Sequence, residues 1–256
     1  CHVFGNMDGV AWDLGDPTAS AMIPPPPGQT PGLPSFHPMK GPMGTQALKS
    51  LSGTEPLHWR GDRATLGDFN PAFVSLMGAP SQLSPGDMNT FSQFVFSMRY
   101  GSNPLRQLDG SLPATINGAD PEHGRQLFQT GGLVNGAQCG FCHTLPTGEN
   151  GFIIPAGALL QDEGKKVPQL RNMDKKSRFS RTGPTSVRGY GYTHDGAFDT
   201  IFNFLEFPLF TFANDQDQRA PGPPDGGGNE RIVTSLTKSS VSAEEARNGH
   251  TVESPR

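Results

Sequence analysis

Cys139-Gly140-Phe141-Cys142-His143 is the stretch on which the reading of this chain turns. Its pattern, C-x-x-C-H, is the attachment signature for c-type haem. Two thiols three residues apart stand on one helical turn, where each can form a thioether with a haem vinyl group. The histidine beside them reaches the iron as proximal ligand. Cys139, Cys142 and His143 are therefore the first candidate cofactor residues, with His143 the candidate iron ligand. Two other chemistries use such a pair. Structural zinc takes four ligands, usually with a second Cys or His pair within a few tens of residues, and the third and last cysteine here is the distant Cys1. A thioredoxin-like redox pair belongs to a βαβ setting, whereas residues 130–136, ahead of Cys139, carry no convincing buried strand.

Composition sets the frame around the motif. Only 34% of the 256 residues are hydrophobic, while Gly (33) and Pro (25) are abundant, so short helices separated by long irregular loops are expected. A covalently held macrocycle would supply apolar core that the side chains do not. A net charge of −4 and a pI near 6.0 give no electrostatic reason to expect nucleic acid. No run approaches the ~18 apolar residues of a membrane span. Haem attachment to this motif takes place outside the bacterial cytoplasm, so a periplasmic or otherwise extracytoplasmic location is expected, with a signal peptide upstream of Cys1. The chain accordingly reads as a fragment or a processed product.

The pattern along the chain suggests four parts. Residues 1–100 form a first module whose opening third, with Pro24 to Pro27 and repeated Gly and Pro as far as Gly44, excludes helix and interior strand. Asn70-Pro71 reads as N-cap and first turn of a helix running to Met77, with Gly78 ending it. Met88, Phe91, Phe94, Val95 and Met98 recur at helical spacing between Pro85 and Gly101, an apolar stripe expected in the core. Residues 101–117 read as a linker. Residues 118–212 form a second module, opened by a helix that Asp120-Pro121-Glu122 starts and closed by one after His194-Asp195-Gly196 that Pro208 interrupts. Residues 213–256 carry no aromatic residue and read as a polar, disordered tail.

An internal repeat supports the two-module reading. Residues 59–69 align without gaps to residues 194–204, matching Gly61 with Gly196, Thr65 with Thr200, Leu66 with Ile201 and Phe69 with Phe204. Upstream, residues 45–49 pair with residues 167–171. Each block follows a Cys-His, Cys1-His2 in the first half and Cys142-His143 in the second. Cys1 and His2 are thus candidates for the remainder of a second C-x-x-C-H, giving a second haem and a second iron ligand. A mature lipoprotein, which also begins with Cys, is the alternative for Cys1.

The order C-x-x-C-H, then Val167-Pro168-Gln169-Leu170-Arg171-Asn172, then His194-Asp195-Gly196 resembles the bacterial di-haem cytochrome c peroxidase superfamily over most of residues 1–210. The helix leading into Cys139 is likewise how cytochrome c domains begin. In that family the first module carries a His shortly before a K-G-P stretch and then a W-D-G-R segment; His37 to Pro42 and Trp59 to Arg63 look like these elements. The resemblance implies that His37 is a distal ligand of the first haem and that Trp59 lies between the haems as an electron conduit. Met173 is the one Met of the second half and a candidate axial ligand. His194 is a further candidate ligand, although the repeat sets it opposite Trp59, which favours a supporting role. His58 and His123 read as surface or turn residues.

Departures from the family pattern bear on activity. The peroxidases use a Gln and a Glu after the Trp segment to handle peroxide protons; between Trp59 and Pro80 this chain has neither, and no Met follows Met173. The expectation is therefore a mainly α chain of two tandem cytochrome c-like helical modules with long Pro/Gly-rich loops, binding haem c at Cys139/Cys142/His143 and again at Cys1/His2. It would carry electrons outside the cytoplasm to redox partner proteins, with no catalytic residues assigned. The alternatives are a di-haem peroxidase-like oxidoreductase, and a haem-containing structural or sensing module of a larger parent protein.

Overall fold

The computed structural model describes residues 1–29, 31–103, 105–116, 118–132, 136–171, 173, 191–198, 201–205, 207 and 209–210. The expected disordered tail, Asn172 and Pro208 lie outside them. Two compact units make up the chain. One contains residues 1–100, 142–171 and 193–197; the other contains residues 101–141, 172–192 and 198–256. A new unit thus begins at Gly101, where the linker was expected, but residues 142–171 and 193–197 group with the first hundred residues rather than with a contiguous second module. The division falls inside the motif, between Phe141 and Cys142.

In the first unit two antiparallel ladders tie loops together. β1 (Ala11–Trp12) pairs with β2 (Met43–Gly44), in the register Ala11 to Gly44 and Trp12 to Met43. Helix α1 (Asn70–Ser75) is followed by α2 (Pro85–Ser97). The helical segment begins earlier than Asn70-Pro71 suggests, because a 3-10 turn at Leu66–Phe69 runs straight into α1. Its cap is Thr65, whose backbone N–H donates to Asp68 Oδ2 (3.0 Å) in a reciprocal capping box. Asn70 is freed from capping. Its amide instead brackets Leu83, donating to the Leu83 carbonyl and accepting from its N–H, both at 2.9 Å, and so closes the α1–α2 connection.

Helix α2 starts where the sequence marks it. Ser84 Oγ accepts from the Asp87 N–H, Pro85 takes the first turn and Asp87 faces the helix N-terminus. Leu57, Leu66, Met88 and Val95 form the buried cluster, with Leu48, Phe69, Phe73 and Phe91 packed on it. Met88, Phe91 and Val95 lie within one stripe of the helix. Phe94 falls at its edge and is 62% exposed, which corrects the expectation that the whole Met/Phe series is core. Further along this unit, β3 (Ile153–Ile154) pairs antiparallel with β4 (Lys165–Lys166), with Ile153 opposite Lys166.

The second unit holds α3 (Pro121–Thr130), capped by Asp120, whose Oδ1 accepts from the Glu122 and His123 N–H groups at 2.9 and 3.0 Å. The one-turn helix α4 (Cys139–Cys142) contributes Cys139 to Phe141 to this unit. Gly140 sits against Gln129 and the Phe128 carbonyl at the end of α3, at ordinary contact distance for any added Cβ. In the first unit, Ala156–Leu159 forms a further single turn, α5. α6 (Ile201–Leu205) belongs to an aromatic cluster in which Phe198 meets Phe204 and Phe207 edge-on, and Phe204 meets Phe210. Phe198 itself stands before the helix, not on its face.

The stripe makes a direct prediction. Met88→Ala should cost about 2–5 kcal/mol, as a buried Met truncation does, whereas Phe94→Ala should stay within about 0.5 kcal/mol. Chemical denaturation of both variants checks it, and equal losses would contradict the assignment of the two faces.

Candidate metal centre

Helix α4 places Cys139 and Cys142 on one turn, both half-buried. Burial pushes the Cys142 thiol above its ordinary pKa, which keeps it a thiol rather than a thiolate. His143 Nδ1 hydrogen-bonds the Gly148 carbonyl at 2.8 Å. Burial lowers the ring's pKa, and bonds to the Gly148 and Pro168 backbone carbonyls raise it in opposition. A carbonyl can only accept, so Nδ1 carries a proton and donates it to Gly148, the kind of backbone bond that orients a ligating imidazole. Gly148 is required where it stands. Its φ is +76°, and an added Cβ would lie 2.8 Å from the Leu170 amide nitrogen.

These residues fit haem c. Two thiols on one turn and an imidazole of fixed tautomer are what covalent attachment and proximal ligation need. Among the described residues, no three His, Cys, Asp or Glu side chains gather as a metal cage would require.

Cys1 and His2 are both exposed. His2 Nδ1 bonds the Gln46 carbonyl at 2.9 Å. Gln46 is the residue that the repeat aligns with Pro168, so each candidate haem histidine bonds a backbone carbonyl at the same repeat position. The downstream blocks agree in detail. Leu57 bridges Arg63, and Tyr192, at the corresponding position, bridges Phe198. His58 and Thr193, again equivalent, both have positive φ (72° and 69°), as do Gly61 and Gly196. The Trp59 and His194 segments are the same turn, closed the same way.

Trp59 is buried, and its indole N–H donates to the Gly44 carbonyl at 2.7 Å. The two turns are held by reciprocal bonds. Gly44 N–H donates to the His194 carbonyl (2.7 Å), and Lys166 N–H, at the position equivalent to Gly44, donates to the Trp59 carbonyl (2.8 Å). His194 is half-buried, with Nδ1 3.9 Å from Asp195 Oδ1. His37 is exposed, and its Nδ1 accepts from the Met39 N–H at 3.1 Å, a local turn contact. Met173 is half-buried.

A cluster of charges was not foreseen. Arg60 is fully buried, stacked over Phe36 with its guanidinium 5.0 Å from the ring centroid. It donates to the His37 carbonyl (2.6 Å), to Glu163 (3.2 Å) and to Asp62 (3.3 Å). Arg63 and His58 bind the same Asp62 carboxylate at 3.2 and 2.8 Å. His58 is therefore a partner in this cluster, set edge-on to Phe69, and not the surface residue expected. Burial alone would raise the Asp62 pKa. The His58 bond and the charges of His58, Arg63 and Lys40 outweigh it and hold the carboxyl far below the usual range. Alternating charges within three residues, Arg60-Gly61-Asp62-Arg63, were the available signal.

No protein-family model matches the chain, and neither does any curated protein. Among solved structures the chain is similar in fold to the hydrazine synthase of Kuenenia stuttgartiensis, solved under 20 bar of xenon. The TM-score is 0.50 over 92% of this chain and 76% of that one, at 13% identity. At that identity the likeness is one of fold.

Asp62→Asn should destabilise the protein by about 3–5 kcal/mol, because it leaves buried Arg60 short of a counter-charge. The sign with pH follows from a folded pKa below the unfolded one. The Asp62 contribution is complete above the unfolded value of about 3.9, declines as pH falls below it and is lost once pH has passed the lower folded value. Urea melts of both proteins from pH 7 to pH 3 should show the gap intact down to about pH 4 and narrowing below it. A gap already closing near pH 6 would contradict the assignment.

Proposed function

We propose that the chain carries electrons through covalently attached c-type haem, in two tandem cytochrome c-like modules, outside the cytoplasm and between redox partner proteins. The observation that carries this reading is the setting of His143. It follows two thiols on one turn, and its Nδ1 proton is engaged by a backbone carbonyl. The matching bond from His2 to Gln46 supports a second site at Cys1 and His2. When bound, haem supplies a one-electron iron couple. The residues of this chain do the rest. Cys139 and Cys142 would fix the group by thioethers, Gly148 and Pro168 would orient the imidazole, and Trp59, in the turn bonded to β4, would serve as the electron conduit that the resemblance implies. Met173, His37 and His194 remain candidate sixth ligands.

The enzyme reading draws on the fold likeness to a synthase and on the resembled peroxidase family. Against it, the two carboxylates that follow Trp59 already have structural work. Asp62 is bound by Arg60, Arg63 and His58, and Asp68 closes the capping box at Thr65. Neither is placed to take and return a proton.

Full-length protein made with haem-maturation machinery should retain haem through acid–acetone extraction. Mass spectrometry should show at least one haem adduct, lost on Cys139→Ser/Cys142→Ser substitution. Extraction of all the haem would defeat the proposal. The same protein should exchange electrons with small mediators yet barely consume peroxide. Steady peroxide turnover of roughly ten per second or more would assign it to the enzymes instead.

A further inference from the structure

We propose that the buried Glu149–Lys166 ion pair is a positioning element for His143 that sets the reduction potential of the iron held there. The inference rests on the haem reading above and adds two residues that the motif does not include.

The pair is fully inside the protein, with side chains 3% and 7% exposed and Nζ 2.8 Å from Oε2. Its position explains why it is there. Glu149 belongs to the loop whose Gly148 carbonyl receives the His143 Nδ1 proton. That loop is closed on Glu149 itself, since Oε2 accepts from the Gly151 N–H (2.9 Å) and the Thr147 hydroxyl donates to the Glu149 carbonyl (3.1 Å). Lys166 lies on β4, two residues before Pro168, whose carbonyl is the second backbone acceptor of the same ring. The ion pair is therefore a clasp between the two segments that hold the imidazole from both backbone acceptors. The strand side of the clasp is anchored in turn, because the Lys166 N–H donates to the Trp59 carbonyl (2.8 Å).

Stability alone is a weak reason for such a pair. Taking two charges out of water costs about as much as their attraction returns, and well-packed apolar residues often do as well. Beside a redox centre the charges have a further effect. In a low-dielectric interior an anion next to the ligand favours Fe(III), and a cation favours Fe(II). Glu149 adjoins Gly148 and Lys166 stands two residues before Pro168, so one buried charge of each sign flanks the segments that hold the ring, and their balance is what the iron would sense. A paired clasp holds the ring rigidly while keeping the local field near neutral.

The test is a charge-neutralisation cycle in full-length protein made with haem-maturation machinery. Glu149→Gln, Lys166→Gln, the double variant and Lys166→Arg are compared by redox titration at one pH. The pyridine haemochrome spectrum is taken first, to show that haem is attached. Glu149→Gln should raise the potential and Lys166→Gln should lower it, each changing the Fe(II)/Fe(III) ratio at fixed applied potential by about threefold or more. The double variant and Lys166→Arg should each return to within about twofold of the wild type. A role confined to stability predicts instead lower melting temperatures with no opposed shift. Single variants that move the potential the same way, or not at all, overturn the proposal, as does a shift in Lys166→Arg equal to that in Lys166→Gln. Should one single variant fail to take up haem, the sign of the other and the return in the double variant decide. A wild-type chain with no attached haem would overturn the haem reading itself, and the claim about potential with it.

Discussion

The first unit depends on a reciprocal pair of main-chain bonds, Gly44 N–H to the His194 carbonyl and Lys166 N–H to the Trp59 carbonyl. Little else could do their work. The ladders are two residues long, and a chain with 33 Gly and 25 Pro has few regular elements to spread hydrogen bonding over. Each bond joins a residue just ahead of one repeat's short block to the turn of the other repeat. The two Cys-His segments are thus tied to one frame through loops rather than helices. The tight approach of Gly61 to Ile153 and to the Lys166 Cβ shows how little room that junction leaves, since an added Cβ would lie 2.9 Å from Ile153 Cγ1.

A loop-built frame needs interior polar groups to be satisfied, and this accounts for the buried charges. Arg60 crosses beneath Phe36 to reach the His37 carbonyl and two carboxylates, so one side chain ties together segments 36–37, 60–62 and 163. Glu149 and Lys166 do the same for segments 147–151 and 165–168. In a helical bundle apolar seams would make such connections. Here Leu57, Leu66, Met88 and Val95 form the buried apolar cluster among the described residues, and ionic clasps join other segments, each carrying the desolvation cost that a seam avoids.

What was legible in the sequence follows the same division. Local rules carried over. Ser84-Pro85 and Asp120-Pro121 begin helices where their chemistry places them, because an N-cap acts within three residues. The repeat was legible too, and the matched bridges and positive φ values of the Trp59 and His194 turns are what its Gly, Thr and aliphatic coincidences encode. Failures came where distant segments decide. Asn70 reads as a cap, but Thr65 caps and Asn70 brackets Leu83. Phe94 has helical spacing with the core yet faces solvent. His58 looks like a turn residue, and its role depends on Asp62 and Phe69 being folded over it. The Glu149–Lys166 clasp left no trace in pattern, because its partners lie 17 positions apart and no local spacing rule relates them.

The two histidines that follow cysteine show how far a shared frame constrains chemistry. His143 and His2 bond carbonyls at equivalent repeat positions, yet their surroundings differ. His143 is held by a glycine that tolerates no side chain and flanked by a buried ion pair, whereas His2 is exposed. A carbonyl at the same repeat position is therefore common to both, while the dielectric surroundings are not. Since an iron potential responds to burial and nearby charge more than to which carbonyl holds the ligand, two centres built on this frame would differ in potential. Were both to hold haem as proposed, that inequality would give electrons a preferred direction between them, and Trp59 sits in the turn that the β4 segment supporting His143 is bonded to.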